Sequence, residues 1–240
     1  MRHIMLIARR ELGAYLNSYF GWVIVALALM ANGLGFISFA MKGEKPSSDV
    51  VSTFLYFAYM ITLVFGVLIA MRSFAAEREK GTLVLLQTSP ASEWSMVLGK
   101  FLGSFGFLTV LIASTAYMPL MVLKHGNLEP GQILAGYLGL MLVGAVSTAI
   151  GVFGSVIAPN QILAAVMGAA IAFILAFAVL ISAKADPPLD EILGFADLYY
   201  RHFHHIQDGS VYLRSLVYYP SLAFFFLLAS VRVLESKRWR

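Results

Sequence analysis

Cysteine is absent from this 240-residue chain, which excludes disulfide bonds, thiolate nucleophiles and zinc–thiolate sites. Charged residues are also scarce, at 12% of the chain against roughly 25% in soluble domains. Because 60% of the residues are hydrophobic, polar side chains are too few to cover a water-facing surface. The composition predicts a membrane protein, and the formal net charge of +4 fits the flanks of membrane helices better than a nucleic-acid surface.

Motifs for catalysis and nucleotide binding are missing as well. The sequence has no G-x-x-x-x-G-K-[ST] pattern, the loop with which P-loop proteins hold ATP. The H-E-x-x-H, G-x-S-x-G and G-x-G-x-x-G patterns do not occur either. We therefore expect a membrane subunit that is not an enzyme, has no catalytic residue, and binds no cofactor, metal or nucleic acid.

Six apolar runs approach the ~20 residues that a helix needs to cross the hydrocarbon core. An even number of spans puts both termini on the same side of the membrane. With both termini inside, eleven Lys and Arg residues lie inside and six outside, which favours cytoplasmic termini. The pattern predicts an all-α integral membrane protein with six transmembrane helices, Phe20–Met41, Val51–Met71, Phe101–Leu123, Ile133–Ala158, Ile162–Ala183 and Leu213–Val231.

The N-terminal residues 1–16 predict an amphipathic helix that lies in the membrane interface. Ile4, Ala8 and Leu12 fall on its apolar face, and we expect Glu11 to lie away from the centre of that face. We interpret residues 1–240 as one transmembrane domain that includes this helix.

Two longer loops separate the apolar runs: a charged cytoplasmic loop at 72–100 and an external loop at 184–212. The external loop contains an apolar-aromatic stretch, Ile192 to Tyr200, that is suited to a short helix dipping back into the membrane surface.

The cytoplasmic loop carries clear helix signals. Arg72 to Lys80 is a charged stretch that favours a helix, and Gly81 is expected to end it. Thr82 can cap a short helix at Leu83–Gln87, and Ser92 is expected to start the next long helix. The residues of this loop by themselves leave two interpretations open. The loop is either a lever for a partner protein or an ordinary charged loop, and the residues favour the ordinary loop.

Gly99 and Gly103 form a G-x-x-x-G pattern at the end of this loop, which allows two helices to approach closely. The pattern fits either a dimer seam or packing within the subunit, and we favour packing within the subunit.

The run MRSFAAEREKGTLVLLQTSP at 71–90, followed by VLGKFLG at 97–103, resembles the ABC-2 family of permeases. The most similar members are the gliding-motility and nitrous-oxide-reductase-maturation types. Weaker matches continue at 136–140, 148–151 and 160–162 and in the last forty residues, so the resemblance covers nearly the whole chain.

This resemblance implies an interfacial N-terminal helix, six spans, a coupling helix in the first cytoplasmic loop and short re-entrant helices before the last span. It also implies a dimer with a second permease copy or homologue. Each copy would bind a separate P-loop ATPase, which holds the ATP and Mg. Carried onto this sequence, the ATPase-coupling residues are Glu77, Arg78, Glu79, Gly81, Thr82, Leu85 and Pro90.

The external loop supplies a second candidate site, made of His202, His205, Gly209 and Arg214. Gliding-type permeases tend to carry an Arg-Gly-x-x-Asp-x-Arg-Asp pattern here, whereas this chain has DGSVYLRS at 208–215. An external Arg and two Asp are gone, so the cargo or a periplasmic accessory protein is expected to differ. His202 and His205 are spaced to share a helix face as metal ligands, but histidines at a membrane interface are the favoured interpretation.

The function expected from these features is the permease subunit of an ATP-driven exporter in the bacterial inner membrane. One alternative is that the same fold transmits force to an external protein assembly without moving cargo. An ion-driven secondary transporter is less favoured, because no apolar run contains an internal Asp, Glu, Lys or His with which to carry ions.

Overall fold

The computed structural model describes residues 2–43, 45–82, 92–126, 128–182, 194–195 and 197–238. These residues form helices, turns and irregular segments with no strand among them, as the sequence predicted. The helices are α1 (Arg2–Leu16), α2 (Tyr19–Gly35, continued by a π-helical turn Phe36–Ala40), α3 (Ser47–Ala70), α4 (Arg72–Glu79), α5 (Glu93–Ser114), α6 (Tyr117–His125), α7 (Pro130–Ile157), α8 (Gln161–Ala176), α9 (Ala178–Ser182), α10 (His204–Gln207, preceded by a π-helical turn Tyr199–Phe203) and α11 (Leu213–Arg238).

Five helical stretches in the described ranges are long and apolar enough to cross a membrane, which makes this a multi-pass membrane protein. They coincide with five of the six predicted runs: Tyr19–Ala40, Ser47–Glu79, Glu93–His125, Pro130–Ile157 and Leu213–Ser236.

The remaining predicted run, Ile162–Ala183, falls on α8 and α9, which Phe177 separates. The 16 residues of α8 rise ~24 Å at 1.5 Å per residue, less than the ~30 Å of a hydrocarbon core. The sixth span therefore stays a prediction, as does the placement of both termini in the cytoplasm.

Helix α7 is the centre of the bundle. Within its most apolar stretch 72% of the residues are buried, compared with 28% in α2. It packs against α3, α5, α8 and α11, and the short helices α4 and α10 also rest on it. The ends of α7 are therefore the places where the short segments can be attached to the core.

Helix α1 docks against α5 at two glycines. A Cβ atom on Gly99 would lie 2.7 Å from the Cβ of Ile7, and one on Gly103 would lie 2.5 Å from the Cβ of Glu11. Larger residues would separate the helices, so the G-x-x-x-G pattern serves packing within the subunit, as we favoured. The prediction for Glu11 was wrong, because positions 4, 8 and 11 share the docking side of the helix.

The segment before α11 folds into short helical turns that pack on α3 and α7. Asp197 starts them: its Oδ2 accepts hydrogen bonds from the backbone N–H groups of Tyr200 and, at 3.2 Å, Arg201. Tyr199 and Phe203 are buried below it. Short helices before the last long helix are thus present, and their entry into the membrane stays a prediction.

Candidate functional site at the α4 joint

The α4 joint, residues 71–82, begins where the long helix α3 stops. The Ser155 hydroxyl near the end of α7 donates to the Met71 carbonyl at 2.8 Å. It also accepts the backbone N–H groups of Phe74 and Ala75, at 2.8 and 2.9 Å. One buried hydroxyl therefore satisfies backbone groups on both sides of the break and fixes α4 to the central helix.

Glu77 connects α4 to α1 and α5 through Lys100. The Lys100 side chain is 1% exposed, and its ammonium lies 2.8 Å from a carboxylate oxygen of Glu77 and 2.8 Å from one of Glu11. Arg10 approaches the same Glu77 oxygen at 3.4 Å. A buried ammonium is tolerated when carboxylates surround it, so this cluster joins three helices through one charge.

Arg78 connects α4 to the end of α7. Its guanidinium donates to the backbone carbonyls of Val156 at 2.9 Å and Ile157 at 3.5 Å, and also to that of Ala158. The last carbonyls of a helix have no partner within the helix and carry the negative end of its dipole. Arg78 supplies both the missing donors and the complementary charge.

Glu79 connects α4 to the start of α8. Its two carboxylate oxygens accept from the backbone N–H and the side-chain amide of Gln161, at 2.9 and 2.5 Å. An acidic group at a helix N-terminus satisfies free N–H groups and opposes the positive end of the dipole. Asn160 caps the same turn by accepting from the Leu163 N–H at 2.8 Å.

Gly81 ends the joint with a positive φ of 69°. The N–H of Gly81 donates to the backbone carbonyl of Arg78 at 3.1 Å, and the N–H of Thr82 donates to the backbone carbonyl of Glu77 at 2.9 Å. This pair of bonds is a Schellman motif, which needs a left-handed residue and therefore favours glycine. The predicted helix end is confirmed, whereas the predicted coupling residues Leu85 and Pro90 lie outside the described residues.

The external-loop candidates have different surroundings, and their role as one site stays a prediction. His202 is fully buried and stacks on Tyr218 with ring centroids 4.0 Å apart, and its Nδ1 lies 3.2 Å from the Ser215 hydroxyl. His205 is exposed and faces Tyr212. In the described part of the chain, no three His, Asp or Glu side chains are grouped so as to hold a metal ion.

The other two external-loop candidates, Arg214 and Gly209, have features that are explained by packing and by backbone conformation. The Arg214 guanidinium lies 4.9 Å from the centroid of the Phe195 ring, and Gly209 has a φ of 89°. Burial, with the nearby Arg214 charge as the next cause, lowers the pKa of His202 to about 4. His202 is therefore a neutral packing residue at neutral pH.

Sequence reasoning missed three partners of the joint: Lys100, Ser155 and Gln161. In the sequence Lys100 is one of the cytoplasmic charges and part of the family run at 97–103, yet in the structure it lies between Gly99 and Gly103 on the face that receives α1. A single lysine beside a helix-docking pattern was the available signal. Ser155 gives no sequence signal and Gln161 lies only in the weak family match at 160–162, because each acts on the backbone or side chain of a residue about eighty positions away.

Comparison with known proteins gives, for most of the chain, the family that the sequence motifs resemble. Residues 28–225 match the model of the ABC-2 family of transporter proteins. A protein named "Probable ABC transporter permease protein NosY" from Pseudomonas aeruginosa is 27% identical over 163 residues, which cover 60% of this chain and 59% of that protein.

A protein of the same name from Stutzerimonas stutzeri is 30% identical over 107 residues, which cover 43% of this chain and 39% of that protein. The matched regions thus span less than two thirds of either relative's length. The family model, in contrast, covers well over half of this chain, and the chain belongs to the ABC-2 family of transporter proteins.

Proposed function

We propose that this chain is the permease subunit of an ATP-driven ABC-2 transporter that exports a cargo. A separate P-loop ATPase binds ATP and Mg and supplies the hydrolysis, and this chain, which has no catalytic residue, supplies the membrane path. The working unit contains a second permease copy or homologue in the bacterial inner membrane, with both termini in the cytoplasm. The permease names of the two relatives support this assignment.

The observation that carries the proposal is the arrangement of Glu77, Arg78 and Glu79. Three consecutive side chains of α4 contact α1 and α5, the end of α7, and the start of α8, respectively. Successive residues of a helix point about 100° apart, so one short turn reaches partners in different directions. A force applied to this turn is delivered to four helices at once.

These contacts support separate duties within the predicted coupling residues. Glu77, Arg78 and Glu79 are turned toward the chain's own helices and act as tethers. Gly81 and Thr82 set the direction in which the following segment leaves the joint. The segment that follows, which includes Leu85 and Pro90, is the part proposed to contact the ATPase.

The first experiment is purification of the tagged full-length protein from native membranes in mild detergents, with its companions identified by mass spectrometry. We expect a P-loop ATPase in near-equal amount. Because the chain contains no cysteine, one introduced cysteine can be labelled selectively. A spin label at Met5→Cys, on the exposed side of α1, is expected to change its spectrum when ATP is added to the complex.

A matched pair of glycine variants tests the role of the joint. Gly81 and Gly43 both have positive φ angles, 69° and 85°, and an added Cβ meets nothing within 4 Å at either position. Gly81→Val, after α4, and Gly43→Val, before α3, therefore impose similar backbone strain at two distant turns. We expect Gly81→Val to suppress the ATP-dependent signal at Met5→Cys and Gly43→Val to preserve it.

Two results would overturn the proposal. Failure to recover any ATPase in several detergents would remove the energy source. An equal response of the two glycine variants would show that the joint has no special part in transmission. Periplasmic proteins that co-purify with an intact complex would favour force transmission over cargo export.

A further inference from the structure

A cavity of about 400 Å³ lies at the end of the bundle opposite to α4. It forms where the π-helical turn after α2, the start of α3 and the end of α6 meet. Its volume lies within the roughly 300–1,000 Å³ usual for ligand sites. The cavity is separated from the α4 joint by the 24 residues of α3, a distance of ~36 Å, so it is independent of the coupling site.

The walls of this cavity are largely hydrocarbon. Phe36, Val50 and Val122 are partly buried and line its apolar part, and Met121 extends from them to the surface. Phe36 is held in place by an edge-to-face contact with Phe54 of α3, with ring centroids 5.8 Å apart. The apolar part is thus formed by side chains that the helix packing fixes.

Polar groups gather on one side of the cavity, at the ends of the helices. Lys45, Ser47 and His125 line it there. The Lys45 ammonium donates to the Phe39 carbonyl at 3.1 Å, and an ammonium with three hydrogens can hold a second acceptor at the same time. The cavity therefore combines an apolar wall with a cationic, hydrogen-bonding rim.

The chain segments around the rim carry a positive balance. Residues 36–50 and 121–126 contain Lys42, Lys45 and Lys124 with two acidic residues, Glu44 and Asp49. Their formal charge is +1 with His125 neutral. Lysines beside a membrane helix attract anionic lipid headgroups.

We propose that this cavity binds one anionic phospholipid, with an acyl chain against Phe36, Val50 and Val122 and the phosphate beside Lys45. Ile37 and Leu120 are exposed on the flanking helices, at 68% and 51%, so hydrocarbon is the natural surrounding of the apolar part. A soluble anion would make no contact with the apolar wall, and a lipid without net charge would leave the positive charge of the rim without a counter-charge.

Native mass spectrometry of the full-length protein tests the site directly. Phosphatidylglycerol and phosphatidylcholine with identical acyl chains are titrated into the protein in mild detergent. We expect one phosphatidylglycerol to be retained in preference to phosphatidylcholine. Loss of one charge in Lys45→Gln is expected to weaken binding about fivefold, because one lysine near a lipid surface contributes ~1 kcal/mol.

The control for charge is Lys42→Gln, which makes the same change in the same loop at an exposed residue that does not line the cavity. We expect it to weaken binding of the preferred lipid less than Lys45→Gln does, because Lys42 adds only to the general charge around the rim. The control for shape compares Val122→Phe, which fills the cavity, with Leu120→Phe on the exposed surface nearby. Only the first should displace the lipid, and each variant's thermal unfolding verifies that it is folded.

Three outcomes would overturn the proposal: equal retention of the two lipids, equal weakening by both lysine variants, or displacement of the lipid by glycerol phosphate, which has no acyl chain. A phosphatidylglycerol with a photoreactive acyl chain gives a second, independent readout. Its cross-links should map to residues 36–50 and 121–126, and cross-links confined to other helices would also contradict the site.

Discussion

The α4 joint and the segment 197–219 solve the same structural problem in different ways. Each attaches short helical pieces to the central helix α7 and to α3. The joint uses side-chain charges directed at helix ends and at one buried lysine. The segment uses stacked rings, such as Tyr59 with Phe203 at 4.8 Å and His202 with Tyr218 at 4.0 Å.

The difference indicates what each region can transmit. Charge-assisted contacts are few and directional, so a displaced helix pulls on particular partners. Ring packing spreads many weak contacts over several neighbouring rings, so no single contact in the 197–219 segment dominates. The joint is therefore the region suited to transmission, and the segment is suited to holding the other end of the bundle together.

The largest expected effect is at the joint. Lys100→Met leaves the carboxylates of Glu11 and Glu77 without their shared ammonium, and loss of one partner from a buried ion cluster costs about 3 kcal/mol or more. Thermal unfolding of the purified protein should show a clear loss of stability. Lys80→Met, at an exposed neighbouring lysine, is the control and should change little.

Neutralising one of the two carboxylates makes this test more specific. Glu11→Gln combined with Lys100→Met should recover part of the lost stability, because one unpaired negative charge is removed. Additive losses in the double variant would show that the ion cluster is not a unit.

An intermediate effect is expected at the 197–219 segment, where buried Tyr219 and buried Tyr59 of α3, which contacts the segment, form a matched pair. The Tyr219 hydroxyl donates to the Leu198 carbonyl at 2.7 Å, whereas the Tyr59 hydroxyl has no partner among the described residues. Tyr219→Phe should cost about 1–3 kcal/mol by leaving a buried carbonyl unsatisfied. Tyr59→Phe should be neutral or slightly stabilising, and equal losses in unfolding experiments would contradict this assignment.

Near neutral pH the smallest effect belongs to His202, which makes the stability depend on pH only in acid. Its pKa is lowered from 6.5 to about 4 in the folded protein, chiefly by burial and then by Arg214. The unfolded chain therefore binds more protons between these values, and stability falls as the pH drops from 6.5 toward 4, by at most about 1.4 kcal/mol per unit. Above pH 6.5 this contribution is constant.

The variant His202→Phe keeps the ring stack and removes the titrating group. We expect it to lack this component of the acid sensitivity, as measured by unfolding at pH 4.5 and 7. The raised pKa of Asp197, caused by burial and opposed by its backbone donors, acts in the opposite sense. It is present in both proteins, as are the nearby Arg201 and His205, and an unchanged pH profile would exclude His202 as the sensor.

Local signals predicted two helix boundaries correctly, whereas the short helix predicted at Leu83–Gln87 lies outside the described residues. Gly81 ends α4, and Ser92 caps α5 by accepting the Ser95 N–H, because capping depends on residues close in sequence. The face of α1 that docks on α5 was harder to predict. Glu11 was set aside for its charge, yet a charged residue can occupy a docking face when a buried partner such as Lys100 lies opposite. Such pairings join distant positions and have no short-range pattern.

The order of the residues in α4 has a consequence for the sequence changes that the helix can accept. Because Glu77, Arg78 and Glu79 meet three sets of partners by virtue of the 100° between successive residues, their order matters as much as their identity. Inserting one residue ahead of Glu77 would turn every later side chain away from its partner without altering any chemistry. In homologous sequences, α4 should consequently accept exchanges between similar residues more readily than insertions or deletions.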